Sequence, residues 1–196
     1  MNRRTTIERK TLETAIKLEL NLDGSGLADL QMGLPFMEHM LTLWSRHGFF
    51  DLTIRAEGDV AVDPHHLVED VGLCLGQAWN KALGEKKGIR RYGMSVVPMD
   101  EALVTAVADL SGRPRLHYQF TLPPGQIGTM DPELFEEFWQ ALVNEGRLNL
   151  HLVMNHGFNK HHIIEASFKA AARAMNEASS YLEGFEGVLS TKGKLD

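Results

Sequence analysis

The sequence carries one chemically capable motif twice, HHxxE, beginning at His65 and again at His161. In a helix, residues four positions apart lie on the same face, so Glu69 stands beside His65 and Glu165 beside His161. Adjacent His side chains point about 100° apart around a helix, so they address different metal ions more easily than the same one. Four imidazoles and two carboxylates are too many for one ion with an open position, and they predict much of a two-metal centre. Such nitrogen and oxygen ligands suit Mn, Fe, Co, Ni or Zn, and spacing alone does not choose among them.

Both motifs begin where a helix is predicted to begin. Asp63 is a favourable N-cap with Pro64 at the first helical position, and Asn159 would cap the second helix before Lys160. The partial positive charge at a helix N-terminus disfavours protonated imidazole, which leaves the His side chains neutral and able to bind metal. A single HHxxE is more typical of a surface or capping His pair, whereas two copies in related contexts favour a metal site.

The sequence around the two motifs is also repeated. The segments HHLVEDVGLCLGQAWNKA and HHIIEASFKAAARAMNEA align without gaps, and a strand-like run and an amphipathic stretch precede each of them. The strand-like runs lie near 3–9, 14–22, 50–58, 92–98, 102–110, 114–121 and 148–154, and the amphipathic stretches at 36–47 and 132–145. We therefore predict an α+β fold, in which an internally duplicated strands–helix–strand–helix unit forms two halves, 1–88 and 89–196. The halves are expected to be related by a pseudo-two-fold axis within one compact unit.

Composition excludes several classes of function. A formal net charge of −6 argues against a general nucleic-acid binder, which needs a basic surface. No stretch approaches the roughly 20 apolar residues that a membrane span requires, and the polar start MNRRTTIERK lacks the apolar core of a signal peptide. The single cysteine, Cys74, cannot form an intrachain disulfide and lies in an apolar stretch typical of a protein core. We expect a cytoplasmic protein with neither nucleic-acid nor membrane partners.

Side chains that could bind an anion are scattered along the chain. Lys169 follows Glu165 at four-residue spacing, so it lies on the metal-binding face of that helix and can reach a group bound beside the metal. The remaining candidates are Arg91, Arg113 and the tail residues Ser190, Thr191 and Lys192. Each Arg is also typical of an ordinary surface salt bridge, and a terminal STKGKLD is typically disordered.

Two further residues could add metal ligands. His39, in PFMEHM, and Glu137, in LFEEFW, lie on the corresponding amphipathic stretches of the two halves. Taken alone, each is more typical of a helix surface than of a metal site. The other His residues show no comparable pattern and stay unassigned; they are His47, His117, His151 and His156.

Four segments resemble the characteristic segments of the imidazoleglycerol-phosphate dehydratase family. They are DPHHLVEDVG, VPMDEALVTAVADLSGRP, NKHHIIEASFKA and STKG, and the similarity runs from about Arg3 to Lys192 in the family's order and spacing. The resemblance implies a hydro-lyase of histidine biosynthesis, which dehydrates D-erythro-imidazole glycerol phosphate to imidazole acetol phosphate via a metal-stabilised imidazolate. It also implies two Mn²⁺ ions per active site, sites built between subunits of a 24-copy assembly, and halves similar to domain 2 of ribosomal protein S5.

The resemblance assigns roles to the residues singled out above. The metal ligands that it implies are His39, His65, His66, Glu69, Glu137, His161, His162 and Glu165. The substrate-binding residues that it implies are Arg91, Arg113, Lys169, Ser190, Thr191 and Lys192, with Glu13 as the carboxylate acting in proton transfer. The chain departs from the family pattern at Glu38, Leu43, Pro64 and Leu67, where Asp, Gln, Asp and Thr are usual, and at Glu137, where His is frequent. None of these departures removes a metal ligand or a phosphate-binding cation.

Two other classes of function compete with a dehydratase. A non-catalytic protein that uses HHxxE only to join subunits would have no need of the Arg and Lys residues suited to phosphate. A metallohydrolase would use a bound hydroxide to cleave a phosphate or amide, rather than remove water from a diol. The presence of the candidate phosphate-binding set favours the dehydratase, and we expect metal binding to promote assembly because neither half alone completes two metal sites.

Overall fold

The computed structural model describes residues 3–195, which form an α+β fold of eight strands and four helices. The first half contains β1 (Arg4–Lys10), β2 (Thr14–Asn21), β3 (Ala28–Gln31), α1 (Pro35–Gly48), β4 (Asp51–Gly58) and α2 (His65–Leu83). The second half contains β5 (Tyr92–Met99), β6 (Ala102–Asp109), β7 (Arg115–Gln119), α3 (Glu133–Gly146), β8 (Asn149–His156) and α4 (Lys160–Ser179).

The strands form two four-stranded sheets with the same topology. The strand order is β1-β2-β4-β3 in the first sheet and β5-β6-β8-β7 in the second. In each sheet the first three strands in this order are joined by antiparallel pairing, and the last one, β3 or β7, pairs parallel with β4 or β8. The matching order of strands and helices confirms the predicted α+β fold with a duplicated unit.

The first half contains a strand that the sequence pattern does not predict. β3 is only four residues long and pairs with β4 at the edge of its sheet. So short a strand offers too few alternations of apolar and polar residues to stand out beside the turn sequence DGSG that precedes it. The expectation of two strands before α1 is therefore wrong, because three strands precede it, as they precede α3 in the second half.

The four helices lie between the two sheets. α2 packs on β1, β2 and β4, and α4 packs on β5, β6 and β8, so each half covers one face of its own sheet. Contacts of α1 with α4 and of α2 with α3 then join the halves across this helical layer. Three fully buried tryptophans, Trp44, Trp79 and Trp139, fill the layer, in which Cys74 is also buried. Burial raises the pKa of the Cys74 thiol to about 11, which fits its predicted place in the core.

Two glycines let α2 and α3 approach each other closely. A Cβ atom added at Gly72 would lie 2.6 Å from the carbonyl oxygen of Phe138, and one at Gly76 would meet the carbonyl oxygen of Leu142. Because these contacts are made with backbone atoms, a larger residue would push the helices apart. Both contacts advance by four residues along each helix, so α2 and α3 run in the same direction.

The starts of α2 and α4 differ from each other in detail. Asn159 caps α4 as predicted, since its side-chain oxygen accepts hydrogen bonds from the backbone N–H groups of His161 at 2.9 Å and His162 at 3.4 Å. In the first half Pro64 occupies the cap position itself, so α2 begins one residue later than predicted. Asp63 still accepts a hydrogen bond from the His65 N–H, at 2.6 Å. Among residues 3–195, no helix is long and apolar enough to cross a membrane.

Candidate metal centre and anion cavity

Three of the predicted ligands come together at one point, and we call His39, His161 and Glu165 the metal cluster. The Nε2 atoms of His39 and His161 lie 3.4 Å and 3.1 Å from the same oxygen, Oε2 of Glu165. Each residue offers one ligand atom, and the three atoms lie within 4.8 Å of one another. Two imidazole nitrogens and one carboxylate oxygen are a donor set that suits Mn²⁺ and the later first-row ions.

The metal cluster joins the two halves of the chain. His39 lies near the start of α1, whereas His161 and Glu165 lie on the first turns of α4. The far ends of the same helices also meet, because the side chain of Asn176 donates a hydrogen bond to the carbonyl of Gly48 at 2.8 Å. α1 and α4 therefore run in parallel, and both bring their N-terminal ends to the cluster.

An apolar wall supports the imidazoles of the metal cluster. The ring of Phe36 makes edge contacts with His161, at 5.1 Å between centroids, and with His39, at 6.4 Å. Phe36 in turn packs on Phe135 at the start of α3, at 5.7 Å. These ring contacts restrict the orientation of both His side chains.

Lys169 lies beside the metal cluster, as its four-residue spacing predicts. Its Nζ atom is 2.6 Å from Oε1 of Glu165 and 3.6 Å from the sulfur of Met99. Burial alone would raise the pKa of Glu165, but its hydrogen bonds with Lys169, His161 and His39 outweigh that effect and hold the pKa below its usual range. Glu165 is therefore ionised at neutral pH, as a metal ligand must be.

The second His of each motif contacts a carboxylate that lies outside its own helix. His162 Nδ1 lies 2.7 Å from Oε2 of Glu101, and His66 Nδ1 lies 3.0 Å from Oδ2 of Asp59. These hydrogen bonds raise the pKa of both imidazoles, and the contact with His162 lowers the pKa of Glu101 to about 2. In the second motif the two imidazoles thus contact different carboxylates, His161 with Glu165 and His162 with Glu101, as the angle between adjacent helical residues predicts.

Glu13 lies near the second His of the first motif. It is exposed in the turn between β1 and β2, and its Oε2 atom is 3.9 Å from Nδ1 of His66. Asp59 is the closer partner of that imidazole, which leaves the Glu13 carboxylate without a hydrogen bond to His66 in this chain.

Other predicted ligands are not gathered around a point within one chain. His65 and Glu69 lie on the first turns of α2, and Glu137 is exposed on α3. Within the described part of the chain, only His39, His161 and Glu165 bring three possible ligand atoms together. Glu137 occupies on α3 the position that His39 occupies on α1, but no second cluster forms around it.

Five of the six predicted anion-binding residues line a single cavity, which we call the anion cavity. Arg91, Arg113, Ser190, Thr191 and Lys192 all contribute to its wall, and its volume is about 670 Å³. Lys169 does not line it.

The guanidinium of Arg91 is oriented within this cavity by two neighbours. It forms an ion pair with Asp109, with Nε 2.7 Å from Oδ1, and donates a hydrogen bond to the carbonyl of Leu189 at 2.7 Å. The contact with Leu189 ties the tail to the wall of the anion cavity just before Ser190. The wall of the anion cavity thus contains guanidinium, ammonium and hydroxyl groups, three kinds of donor that suit an anion.

The metal cluster and the anion cavity lie at opposite ends of α4. His161 is in the first turn of this helix, whereas the backbone N–H of Arg91 donates to the carbonyl of Ala178 in its last turn, at 2.9 Å. At 1.5 Å of rise per residue, the two ends are about 25 Å apart along the axis.

Sequence reasoning missed two residues of this region, Glu101 and Asp59. Neither belongs to a periodic pattern, because Glu101 lies in the turn before β6 and Asp59 in the loop after β4. The internal repeat carries a signal for Glu101, since that residue directly precedes β6 as Glu13 directly precedes β2.

Comparisons with known proteins identify the family. The model of the family "Imidazoleglycerol-phosphate dehydratase" matches residues 32–175. Proteins of that name from Shouchella clausii and Citrifermentans bemidjiense are 53% and 54% identical over 195 residues, covering 100% of this chain and of each relative. Crystal structures of the enzymes from Staphylococcus aureus and Pyrococcus furiosus superpose with TM-scores of 0.83 and 0.84, at 37% and 33% identity. They cover 91% and 96% of this chain, and 99% and 100% of their own chains. The chain therefore belongs to the imidazoleglycerol-phosphate dehydratase family.

Proposed function

We propose that this chain dehydrates D-erythro-imidazole glycerol phosphate to imidazole acetol phosphate, in active sites that each combine a metal cluster from one copy with an anion cavity from another. Membership of the family makes the chain a hydro-lyase of histidine biosynthesis. The composite site rests on one observation, the distance of about 25 Å along α4 between His161 and the wall of the anion cavity. A three-carbon chain joins the ring and the phosphate of the substrate, and it is far too short to span that distance.

The donor set supports two Mn²⁺ ions per active site. His39, His161 and Glu165 would hold one ion, and His65, Glu69 and Glu137 would contribute to the second. His66 and His162 would complete the coordination in neighbouring copies, because their Nδ1 atoms contact carboxylates and the proton there leaves Nε2 for metal. Asp100, at 3.7 Å from Nε2 of His162, is beyond hydrogen-bonding distance. When bound, the ions supply Lewis acidity that favours the ionised form of the substrate's imidazole ring.

The anion cavity would bind the substrate phosphate. Arg113 and Lys192 supply charge, Ser190 and Thr191 supply hydroxyl donors, and Arg91 adds a guanidinium already oriented by Asp109. Holding the remote end of the substrate fixes the position of the reacting carbons, which lowers the entropic cost of reaching the transition state. Lys169 would act at the other end, beside the metal cluster, where its ammonium group can reach a substrate oxygen.

Glu13 is the group proposed to move the proton. An ionised imidazole ring would push electrons toward the adjacent carbon and break its bond to the hydroxyl group, which takes up the proton lost from the ring and leaves as water. Glu13 then takes the proton from the next carbon, and the resulting enol tautomerises to the ketone. Its exposure in the turn before β2 leaves it accessible to a substrate held between copies. Acid–base catalysis by one such group typically contributes about 10²–10⁴-fold to the rate.

Composite sites require an assembly, and we propose the closed 24-copy particle that the family resemblance implies. Metal ions that bind only between copies would stabilise that particle by mass action. Residues 1–88 and 89–196 would be the two copies of the duplicated unit, although 1, 2 and 196 lie outside the described residues. The cytoplasm is the proposed location.

The direct test is an assay of purified, Mn²⁺-loaded protein with imidazole glycerol phosphate. The expected result is the appearance of imidazole acetol phosphate with loss of water and no release of inorganic phosphate. Chelator should abolish the reaction, and Mn²⁺ should restore it. Release of phosphate without formation of the ketone would instead support a metallohydrolase.

A further inference from the structure

Glu101 occupies in the second half the place that Glu13 occupies in the first. Each is the last residue of the turn that joins the first two strands of its sheet, directly before β2 or β6. The flanking strands match as well, because the N–H of Leu22 donates to the carbonyl of Arg3 and the N–H of Leu110 donates to that of Arg91, both at 3.0 Å. The two carboxylates are therefore equivalent in the duplicated fold.

The surroundings of the two carboxylates nevertheless differ. One oxygen of Glu101 lies 2.7 Å from His162 Nδ1, and the other accepts hydrogen bonds from the backbone N–H groups of Asn159 at 2.7 Å and Phe158 at 3.3 Å. Its side chain is only 23% exposed, whereas that of Glu13 is 57% exposed and stands 3.9 Å from the nearest imidazole nitrogen. Glu101 is held in place on both sides, and Glu13 is not.

The loops that precede α2 and α4 explain this difference. In the first half, the loop between β4 and α2 carries Asp59, which contacts His66 Nδ1 at 3.0 Å. In the second half, the loop between β8 and α4 is shorter, and its residues 157–159 include no acidic side chain. A carboxylate for His162 must therefore come from elsewhere, and the turn before β6 supplies it.

We propose that Glu101 is a positioning residue, which holds His162 with its proton on Nδ1 and keeps its Nε2 atom for metal. The exposed carboxylate of Asp100 lies 3.7 Å from that Nε2 atom, which is too far for a hydrogen bond. Asp59 holds His66 in the same way as Glu101 holds His162, and this leaves Glu13 available for proton transfer. The same turn position of the duplicated unit thus serves proton transfer in the first half and the positioning of a metal ligand in the second. The proposal rests on the proposed function in one respect, namely that His162 is a metal ligand. In proteins, carboxylates that fix a ligand imidazole in this way typically change metal affinity by about 10–100-fold when they are replaced.

A competing role for Glu101 is purely structural, since the same carboxylate holds the backbone before α4. Glu101→Gln separates the two roles. The amide oxygen can still accept from the N–H groups of Asn159 and Phe158, so the NH₂ group must face His162. Nδ1 of that imidazole must then accept a hydrogen bond, which moves its proton to Nε2, where it blocks metal binding.

The experiment measures Mn²⁺ binding to the full-length protein from the electron paramagnetic resonance signal of free Mn²⁺. Glu101→Gln should bind Mn²⁺ about 10–100-fold more weakly than the wild type, while it remains folded in chelator. Asp59→Ala, which removes the equivalent contact without touching the loop backbone, should weaken binding to a similar extent. Glu183→Gln, at an exposed position after α4, is the matched control and should bind as the wild type does.

The possible outcomes separate this proposal from the proposed function. Wild-type protein that neither binds Mn²⁺ nor dehydrates the substrate would remove both. Wild-type protein that does both, together with Glu101→Gln and Asp59→Ala variants of undiminished Mn²⁺ affinity, would overturn the positioning role alone. If Glu101→Gln proves unstable in chelator, Asp59→Ala decides the question, because normal affinity in that variant contradicts the proposal.

Discussion

His39 and His161 belong to different halves of the duplicated chain, yet their ring centroids are 5.9 Å apart and both imidazoles contact the same oxygen of Glu165. The metal cluster is thus formed only where α1 of one half packs on α4 of the other. Neither half could assemble it alone, so the packing of the halves against each other is a condition for metal binding.

Loss of one imidazole from the metal cluster should abolish both metal binding and catalysis. His161→Ala leaves an incomplete donor set, and we expect it to bind much less Mn²⁺ and to lower kcat by at least about 10²-fold, because Lewis-acid stabilisation is worth several kcal/mol. Metal analysis after gel filtration and a turnover assay measure the two effects. His117→Ala, at an exposed position on β7, is the control and should behave as the wild type. Full activity in His161→Ala would remove the two-metal proposal.

Two inactive variants should restore each other when they assemble together. His161→Ala damages the metal cluster and Arg113→Ala the anion cavity, so each pure protein should be inactive. In mixed particles, some active sites combine the intact cluster of one variant with the intact cavity of the other. Co-expression followed by assay should therefore recover part of the activity.

The control for this experiment pairs two variants that are damaged in the same part of the composite site. Arg113→Ala and Lys192→Ala both alter the anion cavity, so no mixed site can combine two undamaged parts. If the first mixture is as inactive as this control, the composite site is wrong.

Replacing the carboxylate of Glu13 should slow turnover without weakening binding. In Glu13→Gln the side chain keeps its size but can no longer accept the proton, so kcat should fall by at least about 10²-fold while KM stays close to that of the wild type. Glu8→Gln, at an exposed position on the same hairpin, should leave both constants unchanged. A rise in KM with normal kcat would make Glu13 a binding residue instead.

Removal of the tail should weaken substrate binding and leave metal binding intact. Truncation after Leu189 deletes Ser190, Thr191 and Lys192 from the anion cavity but keeps Leu189, whose main-chain oxygen, then part of the terminal carboxylate, contacts Arg91. We expect a strong rise in KM, measured by steady-state kinetics. Mn²⁺ content serves as the internal control, because the metal cluster lies at the other end of α4. An unchanged KM would show that the tail does not bind phosphate.

As the pH is lowered, metal binding and assembly should be lost at a higher pH than they would be if His66 and His162 had the reference pKa of an imidazole. Hydrogen bonds with Asp59 and Glu101 raise the pKa of His66 and His162 above the reference value of 6.5. A raised pKa keeps the proton bound to higher pH, so protons displace Mn²⁺ as the pH falls through that raised value. Light scattering should then detect smaller species, as it should in chelator at neutral pH. One constant mass under all these conditions would contradict metal-linked assembly and leave the catalytic proposal standing.

The sequence predicts most of the fold because its signals are local and repeated. The two HHxxE helices, their preceding strands and the cap at Asn159 all follow from spacing and residue type. β3 is not predicted, because four residues at a sheet edge carry little periodic information. The packing of α1 on α4 is not predicted for another reason. The apolar face of a helix indicates that this face is buried, but not which helix packs against it.

The residues of the candidate site likewise fall into those that the sequence predicts and those that it does not. The motif predicts His161 and Glu165 as candidate ligands and Lys169 as their neighbour, since all three follow one helical face. Glu101 and Asp59 lie in connecting segments, where the contact with an imidazole depends on the path of the chain through space. Only the equivalence of Glu101 with Glu13, read from the repeat, could have indicated one of them beforehand.

The length of α4 acquires a meaning of its own if its two ends serve different active sites. The length of this helix, 20 residues, then sets the distance between neighbouring active sites in the particle. Deleting a single turn would shorten α4 by about 5 Å. Both active sites that the helix serves would then be misaligned. Natural insertions and deletions should therefore collect in the loops and be absent from this helix.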